Sequence, residues 1–161
     1  MAYIGVDLGG TKVHIAKIVD QSCEKSVRSL IPSQGTEEEV LDVIKDAIAK
    51  VIDQDIVGIG IGVPSVVDQQ LGIVYDVQNI PSWKKVHLKD ILEAHFKIPV
   101  HINNDANCFS LGVLHFGVGR DFDSFVGLSI GTGIAGGIII NKKLYNGCLL
   151  YTSDAADDSL R

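Results

Sequence analysis

Two glycines, Gly9 and Gly10, stand between two short runs rich in valine and isoleucine, "AYIGVDL" and "KVHIAKIV". Branched β-carbons favour strands and a glycine pair permits a tight reversal, so the two runs read as an antiparallel hairpin. A third run, "KSVRSLI", alternates polar and apolar residues up to Pro32 and extends the hairpin into a three-stranded meander. The period then changes. In "TEEEVLDVIKDAIAKVI", residues Val40, Leu41, Ile44, Ala47, Ile48, Val51 and Ile52 fall on one helical face. Thr36 followed by Glu39 forms a capping box, and Glu37 and Glu38 suit the positive end of the helix. Three strands and then an amphipathic helix confine the chain to an α/β or α+β layout.

The remainder continues that alternation. "IVGIGIGV" ends at Pro64, and its glycines leave one side of a strand nearly bare, with room for another backbone or a ligand. "SVVDQQLGIVYDV" reads as two short strands around a Gln-Leu-Gly turn. After "QNIPSW", Leu88, Ile91, Leu92, His95 and Phe96 recur at helical spacing. "IPVHI" is a strand leading into "NNDAN", and "ANCFSLGVLHFG" is apolar around most of its circumference, as a buried helix is. Gly117 and Gly119 mark a hinge or boundary before "FVGLSIGTGIAGGIIINKKLYNG", a second strand-turn-strand unit that faintly repeats the first. The closing "CLLYTSDAADDSLR" loses glycine and turns acidic. It resembles translated adapter read-through and is expected to be foreign to the fold.

Bulk properties exclude several classes. A chain of 161 residues holds one domain, or part of a two-domain protein. A net charge of -6 with no Lys/Arg cluster argues against a nucleic-acid or anionic-membrane surface. No run of about 18 apolar residues is available to span a bilayer, and the start lacks a basic, apolar leader, so a cytoplasmic location is expected. Cys23, Cys108 and Cys148 are far apart, and the histidines are equally scattered, so no metal-ligand spacing and no zinc site can be read.

Four stretches can carry chemistry. Asp7, Gly9, Gly10, Thr11 and Lys12 lie together, but the order Gly-Thr-Lys is not that of a P-loop, which requires Gly-Lys-Ser/Thr. Bare glycines let backbone N–H groups crowd around an anion, and an acidic neighbour there is repulsive unless Mg2+ lies between. A plain glycine hairpin with a capping Asp is an equally good reading. Gly131, Gly133 and Gly136 satisfy G-x-G-x-x-G on paper, yet "IIINKKLY" after them is strand-like, so the dinucleotide fingerprint fails on context. A second glycine hairpin with Thr132 at its tip survives. Asp105 falls where a strand meets a helix, among Asn103, Asn104 and Asn107. One N-cap needs one such residue; the excess suits a polyhydroxylated ligand, with Asp105 accepting a hydroxyl proton. Asn79, Pro81 and Trp83 are the fourth group, although a lone tryptophan is more often core than site.

In this order, "GVDLGGTKV", "GIGIGVP" with "VVDQQLGIV", "NIPSW", "INNDAN" and "GLSIGTGIAGGIIINKKLYNG" resemble the ROK family of sugar kinases and sugar-sensing repressors. The resemblance runs from Tyr3 to Gly147. It implies an actin-like ATPase fold of two ribonuclease-H-like α/β domains with the active site in the cleft. Residues 1–117 would be the first domain, 118–147 the truncated start of the second, and 148–161 a non-native tail. It implies ATP and Mg2+ as cofactors, with Asp7 holding Mg2+ through water and Gly9, Gly10, Thr11 and Lys12 forming one phosphate loop. Gly131, Thr132 and Gly133 would form the other. Asn79 and Asn104 would bind a sugar, and Asp105 would be the general base. Such parts are sufficient for phosphoryl transfer, which depends mostly on positioning and charge neutralisation.

The implied activity is ATP-dependent phosphorylation of a hexose or N-acetylhexosamine by a protein that dimerises when full length. The alternatives are a sugar-sensing regulator or a catalytically silent sugar-binding relative. Ser65 and Ser82 stand where many members have glycine. The family's Glu-x-Gly-His element and zinc motif, which follow "LYNG", have no counterpart in this sequence. The chain is therefore expected to be an N-terminal portion with little or no turnover by itself.

Overall fold

The computed structural model describes residues 1–130 and 134–146. The chain forms two compact units, one ending at Asn103 and the other beginning at Asn104. The mixed α/β architecture anticipated from the alternating periods is present in both.

The first unit is built on a five-stranded sheet of order β3-β2-β1-β4-β8. Strand β1 (Ala2–Leu8) pairs antiparallel with β2 (Lys12–Val19), which pairs with β3 (Ser22–Leu30). On its other side β1 runs parallel to β4 (Ile56–Val63), and β8 (Val100–Asn104) closes the far edge. The meander is as expected, except that β3 begins at Ser22 rather than Lys25. Asp20 and Gln21 turn the chain there with φ of 45° and 66°. Both values are positive, as the right-handed twist of a two-residue hairpin demands, and no glycine announces it in the sequence.

Helix α1 (Glu37–Ala49) starts at the foreseen capping box. Thr36 Oγ1 accepts from the Glu39 N–H at 3.2 Å, and Glu39 Oε2 accepts from the Thr36 N–H at 2.7 Å. Val40, Leu41, Ile44, Ala47 and Ile48 are buried with Ile4, Val6, Leu8, Val13 and Ile15 from the even face of β1 and the odd face of β2. Each buried valine, leucine or isoleucine among them contributes about 1.5–3 kcal/mol relative to exposure. On the other face of β1 lie Tyr3, Gly5 and Asp7, none of them buried. Gly5 pairs with Gly60 of β4, and neither has an atom within contact reach of a would-be Cβ. The bare side read into β4 is real at that point.

Beside the sheet, β5 (Val66–Asp68), β6 (Ile73–Tyr75) and the two-residue β7 (Lys85–Val86) form a small antiparallel sheet. The turn between β5 and β6 is held by Asp68, whose Oδ1 accepts from the N–H groups of Gln70 and Leu71, and by Gly72 at φ 65°. Ser65 donates its hydroxyl to the Tyr75 carbonyl, which gives the side chain at this non-glycine position a partner. Helix α2 (Leu88–Phe96) buries Leu88 and Leu92 and ends at Lys97 in the left-handed conformation.

The second unit contains α3 (Asp105–Phe116), a 3-10 turn at Val118–Asp121, and the sheet β11-β10-β9. Its strands are β9 (Phe125–Ile130), β10 (Ile134–Ile140) and β11 (Lys143–Tyr145). Helix α3 was expected to be buried nearly all round. Instead Ala106, Asn107, Ser110 and Leu114 form the buried stripe, while Phe109 and Phe116 are exposed. The helix packs on β9 and β10, and the opposite face of that hairpin, with Val126, Leu128, Ile130 and Ile134, is exposed. Gly119, read as hinge material, is instead a packing position: a Cβ there would lie 2.7 Å from the Phe125 ring. Among the described residues, no helix is long and apolar enough to cross a membrane.

One ion cluster ties distant parts of the first unit. Lys17, on β2 and only 9% exposed, places its Nζ 2.7 Å from Asp53 Oδ2 and 2.8 Å from Glu24 Oε2. The hydrogen bond from Lys17, and then the Asp55 N–H, hold the Asp53 carboxyl below its ordinary range. The hydrogen bonds to Asp53 and Glu24 hold Lys17 above its own. A depressed carboxyl stabilises the fold fully above its unfolded value, about 3.9, and ceases to do so as pH falls through the lower folded value. In the complete protein, Asp53→Asn is therefore expected to lower the urea midpoint at pH 7. That difference from wild type should shrink below about pH 4, and a gap that stays constant across the range would contradict the linkage.

Candidate active site

The hairpin between β1 and β2 is closed by the Gly9 N–H, which donates to the Lys12 carbonyl at 2.9 Å. The Thr11 carbonyl in turn accepts from the Ile31 N–H at 3.0 Å, so the tip is tied to the end of β3. Neither Gly9 nor Gly10 has a positive φ; among the described glycines Gly72 alone does. The requirement at Gly10 is steric. A Cβ there would lie 2.4 Å from Asn79 Cβ, a separation that side-chain carbons do not reach. Asp7 is exposed one residue before the end of β1, between His14 of β2 and Gly62 of β4 in register. Thr11 and Lys12 are exposed as well.

Asn79 belongs to a loop that fastens itself. The Val77 N–H donates to the Trp83 carbonyl at 3.1 Å, Trp83 N–H to the Ile80 carbonyl at 2.9 Å, and Ile80 N–H to the Val77 carbonyl at 2.9 Å. Val77, Ile80 and Trp83 are buried, and Trp83 is part of the main core. The bland reading of the tryptophan is the right one: it anchors the loop from inside. Asn79 is exposed on the loop and meets the tip of the glycine hairpin. Two stretches that sequence reasoning singled out separately, Gly9–Lys12 and Asn79–Trp83, therefore come together within the first unit.

The Asn/Asp cluster divides its labour. Asn103, at the end of the first unit, accepts at Oδ1 from Gln69 Nε2 at 3.0 Å, which links β8 to the β5–β6 turn. Asn104 is the N-cap of α3, accepting at Oδ1 from the N–H groups of Ala106 at 3.0 Å and Asn107 at 3.4 Å. Asp105 is the first residue of the helix, half-buried, and its Oδ1 accepts from the Ala106 N–H at 2.8 Å. A carboxylate at the start of a helix can act as a proton acceptor toward a hydroxyl placed beside it. The capping reading thus holds for Asn104, while Asn103 and Asp105 have the partners just named. Gln69 was not foreseen, because a glutamine in a surface turn carries no signal in the sequence.

Gly131, Thr132 and Gly133 lie outside the described residues. The residues flanking them, Ile130 and Ile134, are register partners in the β9–β10 ladder. Strand β10 follows directly, with no helix, which agrees with rejecting a dinucleotide fingerprint here. Among the described residues there is no group of three or more His, Cys, Asp or Glu side chains that could hold a metal ion.

The sequence matches the ROK family over residues 3–149. It is 37% identical over 145 residues to a glucokinase of Streptomyces coelicolor, covering 89% of this chain and 45% of that protein. It is 30% identical to a xylose repressor of Caldicellulosiruptor bescii, covering 98% of this chain and 41% of the repressor. A ROK family glucokinase from Streptomyces griseus, solved in complex with glucose and AMPPNP, superimposes with a TM-score of 0.81 at 33% identity. That match covers 92% of this chain and 47% of the solved one. The chain therefore spans about half the length of the relatives it matches.

The contact between Gly10 and Asn79 can be tested on stability alone. Gly10→Ala in the complete protein is expected to cost about 1–3 kcal/mol by overpacking, read from urea denaturation. Asn79→Gly removes the atoms in conflict, so the double variant should recover part of that loss. Additive losses would show that the two residues do not touch.

Proposed function

The chain belongs to the ROK family, and on that footing we propose that the protein carrying it is an ATP-dependent sugar kinase. The acceptor is a hydroxyl of a hexose or an N-acetylhexosamine. The observation that carries this reading is the packing of the Gly9–Lys12 hairpin against Asn79 through Gly10, where an added Cβ would lie 2.4 Å from Asn79 Cβ. A bare backbone turn beside an exposed amide is suited to hold phosphate oxygens and a polyol in neighbouring positions. A ROK glucokinase whose structure is shared over nearly the whole chain was solved with glucose and AMPPNP, which supports the same pairing of ligands.

The Gly9 N–H is engaged in closing the hairpin, so the phosphate-binding groups proposed are the backbone at Gly10 and Thr11, the Thr11 hydroxyl and the Lys12 ammonium. Asp7 would hold Mg2+ through water. A single carboxylate fits that ion, which keeps several waters and shares phosphate oxygens rather than entering a closed protein cage. Gly131, Thr132 and Gly133, which lie outside the described residues, would form the second phosphate loop. Asn79 and Asn104 orient the sugar, and Asp105 accepts the proton of the attacking hydroxyl. When bound, Mg-ATP supplies the phosphoryl group; the protein's own part is to place the hydroxyl and remove its proton. The domains proposed are 1–117 and 118–147, and the complete protein is proposed to dimerise in the cytoplasm.

A sugar-sensing regulator is the second reading, favoured by the likeness to the xylose repressor. The two are separated by turnover. The complete protein mixed with Mg-ATP and a panel of hexoses is expected to release ADP in a coupled assay. Asp105→Asn should lower kcat by about 10²–10⁴-fold, the usual contribution of a general base. Sugar binding in calorimetry without ADP release would instead favour the regulator, and undiminished turnover in Asp105→Asn would remove Asp105 as the base.

A further inference from the structure

The middle of α3 contains a fully buried serine with no part in the chemistry so far described. Ser110 is 0% exposed. Its Oγ lies 3.0 Å from the Ala106 carbonyl one turn back, 3.2 Å from the Gly137 carbonyl and 3.5 Å from the Gly127 carbonyl. A hydroxyl has one proton to donate, so it serves one of these oxygens at a time and joins helix to strand when that oxygen belongs to Gly137 or Gly127. Serine is a poorer helix former than alanine, and bonding back to the carbonyl four residues earlier tends to bend a helix. The helix by itself has no use for it; the strand carbonyls do.

The strands are shaped to receive it. Gly127 and Gly137 are register partners, one on β9 and one on β10. A Cβ on Gly127 would lie 2.4 Å from Ser110 Oγ, and one on Gly137 would lie 2.5 Å away. The serine can therefore reach the sheet only over a pair of residues without side chains. From there a short series of hydrogen bonds leads to the start of the helix. Ser110 engages the Ala106 carbonyl, and the Ala106 N–H donates to both Asn104 and Asp105. Asp105 lies five positions ahead of Ser110, about 7.5 Å along the helix axis.

We propose that Ser110 is a positioning residue, which through the paired Gly127 and Gly137 sets the height of α3 on the β9–β10 hairpin and so places Asp105. The proposal rests on the kinase reading for its effect on turnover, but not for its effect on the helix. A methyl-sized change in the seating of α3 moves its first turn, and misplacement of a reacting group by about 1 Å can cost on the order of 10²-fold in rate.

The test uses the complete protein and a cycle of Ser110→Ala, Gly127→Ala and the double variant. Ser110→Ala is expected to lower kcat about 10-fold, by the same sensitivity to misplacement, with little change in the KM for sugar. It should also speed amide hydrogen exchange at Ala106 and Asn107. Gly127→Ala should be more damaging with the hydroxyl present than without it, because the new methyl meets Oγ first. A purely structural role would lower the melting temperature while leaving kcat per folded molecule and the exchange of those two amides at wild-type values, and that result would overturn the proposal. So would equal damage from Gly127→Ala in both backgrounds. If wild type phosphorylates no sugar, the kinase reading fails; amide exchange and the coupling of melting temperatures across the cycle then decide the placement of α3 alone.

Discussion

Strand β1 is hydrogen-bonded on both sides, antiparallel to β2 and parallel to β4, and nearly everything in the first unit is referred to it. A strand in that position cannot slip by one residue, because a slip would turn Ile4, Val6 and Leu8 out of the core and bury Tyr3 and Asp7 in their place. Its register therefore fixes where the chain must reverse, at Gly9 and Gly10, and fixes Asp7 on the open side of the sheet. The apolar face beneath, shared with α1, secures the strand up to that reversal. Rigid support is what the phosphate-binding role proposed for the loop requires.

The same division between seat and site recurs elsewhere. Trp83 is buried so that Asn79, four residues earlier, can be exposed at a fixed spot. Asn104 caps α3 and thereby presents Asp105 on the first turn. In each case an apolar or hydrogen-bonded neighbour removes the freedom of the residue beside it. The proposed chemistry draws on few side chains, and most of the surrounding sequence is engaged in holding them still.

How much of this was legible beforehand depended on whether the cause was local. The capping box at Thr36 and Glu39, the apolar stripe of α1 and the glycine hairpin are written in consecutive residues, and all three are found where the periods place them. The β2–β3 hairpin was also expected, but not its reversal at Asp20–Gln21, since the backbone there adopts positive φ without glycine and only the pairing of β2 with β3 compels it. The meaning of Gly10 was half legible. A glycine was visibly required, but its reason is Asn79, which lies far along the chain. Ser110 was invisible for the same cause: a serine in an apolar helix says nothing until two glycines from other strands are set beneath it. The all-round burial expected of α3 failed because hydropathy marks what a helix can bury, not which neighbours cover it.

The hairpin β9–β10 has two unlike faces, one receiving α3 and one carrying Val126, Leu128, Ile130 and Ile134 in the open. Among the described residues that second face is a contiguous apolar surface, and β9 lies at the edge of its sheet. Surfaces of this kind attract hydrophobic dyes and chaperones wherever nothing covers them.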